Sequence, residues 1–456
     1  MNSKDLQTAE KIAQLAAQAG GRAYFVGGFV RDRLMGKDQK DIDIEVHGLQ
    51  PDVLRALLSK IGTVLQYGSS FGVFGLAGCE MDIAMPRKER ATGHGHRDFD
   101  VSVDPFIGTK EAARRRDFTI NAMMQDVLTG EVVDHFGGQA DLAAGIIRHV
   151  DDASFAEDPL RVLRCAQFAA RFQVETAENG VHCFSVAPET TELCSRMDLS
   201  ALSRERVEGE LKKALLQADK PSVFFEVLRS MDQLGIWFPE LKALIGLPQD
   251  PVYHPEGDVW THTMQVTDRA AAFRSEVSEP YRFMLLALLH DLGKISTTEE
   301  KNGRIHAYGH ETVGLPLIES FLRRITGEEA VIRYVLGMVP IHMKPNMKAF
   351  SKSSVKSTNH MFDEAPAPKD LIYMAMADKP VMSGATPFEG DSGFLFERLK
   401  VYEETMAKPY VTGKDLIEAG LKPGERFGEL LDYAHKLRLA GIDKETALKQ
   451  VLNYKK

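Results

Sequence analysis

Two acidic residues spaced one apart, Asp41 and Asp43, offer the clearest chemistry in the sequence. They stand in the run DIDIEV, where acids alternate with aliphatic residues. On a β-strand, residues two apart share a face, so both carboxylates, with Glu45 beyond them, project together while the aliphatic side chains are buried. Neighbouring carboxylates repel one another unless a cation joins them, and their oxygens suit Mg²⁺ held together with substrate phosphates. The alternative is a surface strand whose acids face water.

The segment before this pair favours the metal interpretation. An apolar run over 24–26 ends at Gly27 and Gly28, and a helical pattern follows at once. A strand that leads through glycines into a helix start can cradle phosphate, because backbone N–H groups and the helix dipole then approach an anion. Arg31, in the first turn, is placed to reach a triphosphate. Together with the acidic pair, this arrangement predicts a nucleotidyl-transfer site with two-metal chemistry and the two aspartates as catalytic ligands.

Two further positions are candidates for this site. Asp82 lies in the apolar stretch 81–84, where it supplies either a third carboxylate or a solvent-facing acid. Residues 109–123 predict a helix with three consecutive arginines, which splay around its surface. Arg116 abuts an apolar run and is the candidate for a triphosphate contact, whereas the other two favour a hydrated face.

The polar segment 87–104 lacks clear periodicity and predicts a mobile loop. It contains His94 and His96, which have the spacing of a metal pair but no partners. Ordinary loop residues are therefore the favoured interpretation.

From about residue 140, strand patterns stop and helical patterns dominate. One helix opens near Glu157, with acids and a proline in its first turn. Asp158, Arg161 and Arg164 follow one another at intervals of three along one face. From the residues alone, such an Asp–Arg pair is ordinarily a helix-stabilising ion pair worth about 0.2–0.5 kcal/mol.

A second set of chemical residues lies on separate predicted helices further along the chain. Its members are His262, His290, Asp291 and Asp378. Imidazole and carboxylate ligands brought together in this way form divalent metal sites. The apolar run before the adjacent His–Asp pair buries its helix, and a buried pair without a partner would be costly. A structural His–Asp hydrogen bond is the competing explanation. His310 and His342 either contact a second metal or a phosphate or are surface histidines.

These residues need more than one domain to position them. At 456 residues, with 44% apolar and 27% charged side chains, the chain has the composition of a soluble globular protein with about two to four domains. The predicted boundaries give a strand-containing head over 1–140, a helical neck and body over 141–247, a metal-binding helical domain over 248–400 and a helical tail over 401–456. The basic and polar stretch 346–360 predicts a loop.

Composition also limits location and partners. No apolar run approaches the about eighteen residues of a membrane span, and the N-terminus lacks a signal-peptide layout. The four cysteines show no CxxC pairing, so reduced thiols in a cytoplasmic protein without a membrane partner are expected. The net charge of −9 argues against indiscriminate coating of nucleic acid and is compatible with a local basic surface.

Taken in order, the motifs GGFVRD with DID, RRRDFTINAM, EDPLRVLR and SRERVEGEL strongly resemble those of the bacterial CCA-adding enzymes. These are class II tRNA nucleotidyltransferases of the polymerase β superfamily with an appended HD domain, and the resemblance covers nearly the whole chain. It implies an α+β fold: a polymerase β-like head with a mixed sheet, then a largely all-α neck and body, an HD domain and a tail. It also implies Mg²⁺ at Asp41 and Asp43, and triphosphate contacts from Gly28, Arg31 and Arg116.

The resemblance changes the interpretation of Asp158 and Arg161, because this family selects its nucleotide with protein groups in place of a template. A carboxylate accepts from the exocyclic amine that cytosine and adenine share, and a guanidinium donates to the neighbouring ring acceptor. Guanine and uracil present the opposite pattern and would leave buried charges unpaired. Arg164 lies beyond them on the same nucleotide-binding helix. The loop containing residues 88–90 sits where the family keeps a flexible element that switches from C to A.

The implied activity is addition of C, C and A to the 3′ end of tRNA from CTP and ATP. The tRNA would be held mainly through phosphate contacts that measure shape. The HD domain implies a divalent metal at His262, His290, Asp291 and Asp378, and an accessory phosphohydrolase or phosphodiesterase activity.

Other functions remain open from the sequence. A poly(A) polymerase, or an enzyme that adds only CC or only A, shares the head. Protein-modifying nucleotidyltransferases and alarmone synthetase-hydrolases also join such a head to an HD domain, but neither needs the EDxxR helix. A non-enzymatic RNA-binding scaffold is hard to reconcile with carboxylates at both metal sites.

Overall fold

The chain divides into two compact units in the computed structural model. The first unit is Met1–Ala214 with Val223–Ile236, and the second is Leu215–Ser222 with Trp237–Lys456. The described residues are 3–37, 42–66, 72–91, 99–176, 180–379 and 389–454. The domain boundaries at 140, 247 and 400 stay predictions.

The first unit is built on a seven-stranded sheet in the order β3-β4-β5-β2-β1-β8-β9. Its strands, with those outside the sheet, are β1 Arg22–Val26, β2 Ile42–His47, β3 Val64–Gln66, β4 Val73–Leu76, β5 Met81–Ala84, β6 Arg87–Ala91, β7 Phe99–Val103, β8 Met124–Asp126, β9 Val132–Val133, β10 Ile146–Ile147, β11 Gln173–Thr176, β12 Gly180–Cys183 and β13 Ser185–Val186. Strands β2 and β5 are parallel and the other pairs of the sheet are antiparallel, so the sheet is mixed, as predicted.

Helices surround this sheet and then dominate the chain. Up to residue 237 they are α1 Ser3–Gln18, α2 Gly28–Leu34, α3 Pro51–Leu58, α4 Thr109–Arg114, α5 Gly138–Ala144, α6 Asp152–Ala156, α7 Leu160–Arg171, α8 Pro188–Ser195, α9 Arg204–Gln217, α10 Ser222–Ser230 and α11 Leu234–Trp237, with a short 3₁₀ helix over Thr119–Asn121. Strand β2 carries the alternation that the sequence predicts: Ile42, Ile44 and Val46 are buried. The apolar face of α1, with Ile12 fully buried, packs against β1 and β2. Helix α1 thereby covers the central strands β1 and β2 on one face of the sheet.

Two expectations for the head are wrong. The helix predicted over 109–123 ends at Arg114, because Phe118 adopts an extended conformation and forms a β-bridge with His149. The segment 87–104 is not simply a loop, since β6 and β7 pair as an antiparallel hairpin. Tertiary pairing overrides local pattern in both places. His94 and His96 lie outside the described residues.

The second unit is almost entirely helical. Its elements are α12 Pro239–Lys242, α13 Val259–Ala271, α14 Pro280–Leu289, α15 Lys294–Thr297, β14 Glu299–Lys301, β15 Arg304–His306, α16 His310–Val313, α17 Leu315–Ile325, α18 Glu329–Met338, a 3₁₀ helix over Val339–Ile341, α19 Lys344–Phe350, α20 Val355–Glu364, α21 Pro368–Asp378, α22 Glu389–Ala407, α23 Gly413–Glu418, α24 Arg426–Leu439 and α25 Lys444–Leu452. Helix α14 is buried from Phe283 to Leu289, because α13, α18 and α21 pack around it.

Strands and helices also depart from expectation beyond residue 140. Three small two-stranded sheets, β10–β13, β11–β12 and β14–β15, interrupt the helices. The stretch 346–360, predicted as a loop, lies mostly in α19 and α20. Ser354 caps α20 by accepting a hydrogen bond from the Ser357 N–H, and Met361 and Phe362 are buried on its inner face. A polar cap and a narrow apolar face are enough to form this helix.

Candidate functional site

The acidic face of β2 meets a second carboxylate on β5. Asp43 and Asp82 are register partners in these parallel strands, so their side chains emerge next to each other. Both line an open cavity of about 360 Å³, together with Arg115, Arg116 and Arg161. Glu45 and Arg87 line it as well, and three acids with four arginines in one cavity suit a cation and a polyphosphate. Asp41, the other predicted metal ligand, lies outside the described residues.

The glycine turn closes one side of this cavity. Gly27 has φ 64° and ψ −133°, a conformation that favours glycine. A Cβ built on Gly27 would lie 2.9 Å from Arg116 Nη1 and 3.9 Å from Asp43 Oδ2. The turn is therefore against Asp43, as the sequence argument requires, and a side chain there would displace Arg116. Gly28 follows as the first residue of α2.

Glu45, two residues after Asp43, positions the arginine. Arg116 Nη2 lies 3.4 Å from Glu45 Oε2, and His47 Nε2 lies 2.8 Å from Glu45 Oε1. Burial opposes charge on this carboxyl, yet His47 and Arg116 hold the pKa of Glu45 below its ordinary value. A buried carboxylate thus keeps Arg116 at the cavity wall.

Arg31 is placed differently from the triphosphate contact that the sequence suggested. It is buried, donates from Nε to Asp32 and from Nη1 to Asn121 Oδ1, and lies 4.5 Å from the ring centroid of Phe172. Burial lowers the pKa of Arg31, against the effect of Asp32. Arg31 is outside the lining of the Asp43 cavity. Its contact with a phosphate stays a prediction.

The two base-selecting candidates at the start of α7, Asp158 just before it and Arg161 in its first turn, do not pair with each other. Asp158 receives hydrogen bonds from Arg206 Nη2, at 3.0 Å to Oδ1 and 2.8 Å to Oδ2. Arg161 donates to the carbonyl oxygens of Ser154 and Arg115, at 2.7 and 3.0 Å. The ordinary ion pair within the helix is therefore replaced by two separate anchors. Arg161 lines the Asp43 cavity, whereas Asp158 does not.

Arg164 also has a partner outside its own helix. Its Nε and Nη2 donate to Asp117 Oδ2, and its guanidinium lies 5.1 Å from the centroid of the Phe168 ring. Asp117 raises the pKa of Arg164 against the opposing effect of burial. In these contacts Arg164 fixes α7; its predicted contact with a nucleotide stays a prediction.

In the second unit, the four residues predicted as metal ligands converge. His262 lies in α13, His290 and Asp291 follow α14 directly, and Asp378 ends α21. His262 Nε2 lies 3.1 Å from Asp378 Oδ1 and 3.5 Å from Asp291 Oδ2. His290 Nε2 lies 3.4 and 3.3 Å from the same two oxygens. Two imidazole nitrogens and two carboxylate oxygens therefore face one point.

This buried donor set fits a divalent cation. Ligand atoms of one tetrahedral or octahedral ion with bonds near 2.1 Å are about 3.0–3.5 Å apart, as these are. The Nε2 atom of His290 is buried and has no hydrogen-bond partner among the described residues. Burial opposes charge on Asp291, yet His290 and Lys294 hold the pKa of Asp291 well below its usual range. The Asp291 carboxyl is therefore ionised.

His310 and His342 extend the cluster and are not surface residues. Both are buried, and together with Asp291 they form a second group of potential ligands. His310 Nε2 lies 3.2 Å from Asp291 Oδ1, whereas the first group faces Oδ2. Burial lowers the pKa of His342 to about 4, with His290 as the second cause, so its imidazole is neutral and able to ligate. One carboxylate therefore serves two groups of histidines.

A close approach of two backbones brings the second group into place. A Cβ built on Gly293 would lie 1.9 Å from the carbonyl oxygen of His310. Only glycine permits this approach, which brings the start of α16 against the turn after Asp291. Next to the cluster lies a cavity of about 560 Å³, lined also by Lys294, Arg304 and Tyr308.

Sequence reasoning missed several residues that hold the candidates in place. Glu256 Oε1 lies 2.7 Å from His262 Nδ1 and 3.0 Å from His254 Nδ1. Burial would raise the pKa of Glu256, but the hydrogen bond from His262 and a backbone hydrogen bond lower this pKa to about 2. The carboxylate is therefore ionised and acts only as a hydrogen-bond acceptor. It therefore fixes the proton of His262 on Nδ1 and leaves Nε2 for a cation. The sequence signal for Glu256 was an acid six residues before a ligand histidine. For Arg206, the only sequence signal was its place in the motif SRERVEGEL.

Comparison with known proteins identifies relatives of both parts of the chain. The Poly A polymerase head domain family matches residues 23–148, and the HD domain family matches residues 259–380. The Multifunctional CCA protein of Cupriavidus metallidurans is 42% identical over 434 residues, which cover 92% of this chain and 98% of the relative. The Multifunctional CCA protein of Nitrosococcus oceani is 35% identical over 413 residues, which cover 90% of this chain and 95% of the relative.

Solved structures agree on the fold. The Thermotoga maritima CCA-adding enzyme complexed with tRNA_CCA superposes with a TM-score of 0.65 at 21% identity, covering 99% of this chain and 96% of that one. The Bacillus stearothermophilus CCA-adding enzyme in complex with CTP superposes with a TM-score of 0.64 at 20% sequence identity. The match covers 99% of this chain and 98% of that one. Within the described residues, no helix is long and apolar enough to cross a membrane.

The predicted α+β class, with a mixed-sheet head and a largely helical remainder that includes an HD domain, is therefore confirmed. The resemblance seen in the motifs is confirmed by relatives that match over almost their whole length. The chain belongs to the multifunctional CCA protein family, the class II CCA-adding tRNA nucleotidyltransferases that carry an HD domain.

Proposed function

We propose that this chain adds C, C and A to the 3′ end of tRNA from CTP and ATP, and that the transfer occurs in the cavity beside Asp43. The observation that carries this assignment is the adjacency of Asp43 and Asp82 in a cavity that also contains Arg116 and Arg161. Solved structures of CCA-adding enzymes in complex with tRNA_CCA, with ATP and with CTP support these substrates. A cytoplasmic location, where these substrates meet, belongs to the same proposal.

Asp41 and Asp43 are the residues that would hold Mg²⁺, and Asp82 lies beside Asp43. When bound, this ion would lower the pKa of the attacking 3′-hydroxyl and neutralise charge on the pyrophosphate that leaves. Arg116, held by Glu45 at the cavity wall, donates to the triphosphate. Helix α2 has only seven residues, so we assign more of the phosphate binding to arginine than to the helix dipole.

Base choice would rest on α7. Asp158 accepts from the exocyclic amine of cytosine or adenine, and Arg161 donates to the adjacent ring nitrogen. Two carbonyl oxygens already occupy two of the five N–H groups of Arg161, which leaves others for the base. Uracil and guanine present a carbonyl where the amine should be, so the carboxylate would face an acceptor.

The test uses tRNA that lacks its terminal CCA, each labelled nucleoside triphosphate in turn, and Mg²⁺. The full chain should add C, C and A and then stop. Asp43→Ala should abolish incorporation, whereas Asp52→Ala, which removes an exposed acid in α3, should not change it. Addition of long A tracts would indicate a poly(A) polymerase, and full incorporation by Asp43→Ala would overturn the metal assignment.

For the HD domain, we propose a metal-dependent phosphohydrolase or phosphodiesterase. His262, His290, Asp291 and Asp378 would hold one divalent cation, and His310 and His342 would share Asp291 with a second. When bound, such ions activate water as a nucleophile and polarise a phosphoryl oxygen. Lys294 and Arg304 in the adjacent cavity would bind the phosphate of the ester.

The second activity is separable from the first. Full chain stripped with a chelator should bind Mn²⁺ in calorimetry and hydrolyse bis-p-nitrophenyl phosphate when Mn²⁺ is restored. Asp378→Asn should weaken Mn²⁺ binding and stop hydrolysis, while CCA addition continues. Unchanged Mn²⁺ binding by this variant would contradict the ligand assignment.

A further inference from the structure

Asp158 has a fixed set of partners that leaves one position open. Its Oδ1 receives the Leu160 N–H at 3.1 Å and Arg206 Nη2 at 3.0 Å, whereas Oδ2 receives only Arg206 Nη2, at 2.8 Å, within the part of the chain that the structure describes. Each carboxylate oxygen can accept two hydrogen bonds. Oδ1 is therefore filled, and Oδ2 retains room for one further donor.

We propose that Arg206 is a specificity-determining positioning residue for nucleotide selection. This inference rests on the proposed role of Asp158 in base recognition and extends it to a residue 48 positions further along the chain. By donating to both oxygens, Arg206 keeps Asp158 an acceptor and directs the remaining lone pair of Oδ2 to one place. An exocyclic amine fills that place, and a carbonyl oxygen does not.

The position of Arg206 on α9 explains why its side chain holds Asp158 firmly. Helix α9 begins at Arg204, so Arg206 lies in its first turn, and Glu210, one turn later, is buried on the same side. Glu210 also raises the pKa of Arg164, the second arginine of α7, although burial and Asp117 act on it more strongly. Two residues of α9 thus interact with charged groups of this segment, Asp158 just before α7 and Arg164 within it.

Geometry distinguishes this role from a helix-stabilising ion pair. Arg206 and Asp158 are both partly buried, with side chains 26% and 30% exposed, so the contact is not a solvated surface pair. Arg161 is anchored independently by two carbonyl oxygens. Asp158, the acceptor for the base, and Arg161, the donor, are therefore held by different groups. Loss of Arg206 should free only the Asp158 carboxylate.

The chain supplies a matched control. Arg204, two residues earlier on the same helix, pairs with the exposed Glu205 and has no contact with Asp158 among those described. The full chain and the variants Arg206→Met, Arg206→Lys, Arg204→Met and Asp158→Ala are compared by kcat/KM for CTP against UTP, on the same tRNA lacking its CCA end. Thermal unfolding of each variant reports whether the fold is intact.

Arg206→Met should reduce the CTP/UTP ratio by about 10- to 100-fold, the factor expected when a charge-assisted hydrogen bond is lost. Arg206→Lys, which keeps the charge and a hydrogen-bond donor group, should restore part of the CTP/UTP ratio. This variant also keeps the test valid if Arg206→Met fails to fold. Arg204→Met should match the unmodified chain.

Three outcomes would overturn the inference. If Asp158→Ala relaxes the CTP/UTP ratio but Arg206→Met and Arg206→Lys retain it, only the role of Arg206 is wrong. If Asp158→Ala leaves the ratio unchanged, the base-selection part of the proposed function fails, and the inference fails with it. A rise in CTP affinity in Arg206→Met would also contradict positioning, because it would mean that Arg206 withholds Asp158 from the base.

Discussion

Arg164 donates two hydrogen bonds to one oxygen of Asp117, at 2.8 Å from Nε and 2.6 Å from Nη2. The other oxygen of Asp117 accepts from Asn121 Nδ2 and from the Phe118 N–H. Asn121 Oδ1 in turn accepts from Arg31. A continuous polar network therefore connects α2, which follows the glycine turn, to α7, whose start carries the proposed base-selecting residues Asp158 and Arg161. Its integrity should affect both stability and transfer.

Asp117→Asn should lower the free energy of unfolding by about 2 kcal/mol, because the guanidinium of Arg164 would lose its charged partner in a largely buried setting. Urea denaturation of the two proteins measures the difference. Asp52→Asn, on the exposed face of α3, is the control and should change the free energy by less than about 0.5 kcal/mol. A similar loss of unfolding free energy in both variants would show that the polar network contributes no more to stability than an exposed acid does.

The same pair predicts a pH dependence. Burial opposes charge on Asp117, but Arg164 and Asn121 outweigh it and hold the pKa of Asp117 below its ordinary value. A folded-state pKa that is lowered stabilises the fold above about pH 4, the ordinary carboxyl value, and this stabilisation is lost as pH falls through the folded value. The urea midpoints of the unmodified chain and Asp117→Asn should therefore converge below about pH 4. A constant difference down to pH 3 would contradict this account.

Arg116→Met should reduce kcat/KM for CTP by about 100-fold or more, since one preorganised charged donor to the triphosphate is removed. Arg114→Met is the matched control, because Arg114 pairs with Glu111 and Asp151 and does not line the Asp43 cavity. Steady-state kinetics with tRNA lacking its CCA end compares them. Equal losses in the two variants would assign the effect to general charge and not to the cavity.

Glu256→Gln should weaken Mn²⁺ binding at the HD cluster by about 10- to 100-fold, because the carboxylate that orients His262 becomes a neutral amide. Calorimetry on the chelator-stripped full chain measures the affinity. Glu299→Gln, an exposed acid on β14, should bind Mn²⁺ like the unmodified chain. CCA addition should be unchanged in both. Unaltered Mn²⁺ affinity in Glu256→Gln would mean that His262 does not depend on this hydrogen bond.

Local sequence determined the chemistry-bearing elements of this protein. The alternation around Asp43 predicts a strand with one acidic face, the glycine pair predicts the turn, and the apolar run before His290 predicts a buried helix; all three are found. These features depend on neighbours within a few residues, where periodicity and backbone freedom act directly. The family resemblance and the mixed-sheet head followed from the same motifs.

Only tertiary structure decided which charged groups meet. Asp158 was expected beside Arg161 and instead meets Arg206, and Arg164 reaches Asp117 from another segment. His310, left open as a surface residue, is buried beside Asp291 because two backbones approach at Gly293. A long side chain takes the partner that helix packing brings within reach, and spacing along one helix does not report that packing. For the same reason, the pairing of β6 with β7 and the end of α4 could not be found from local pattern.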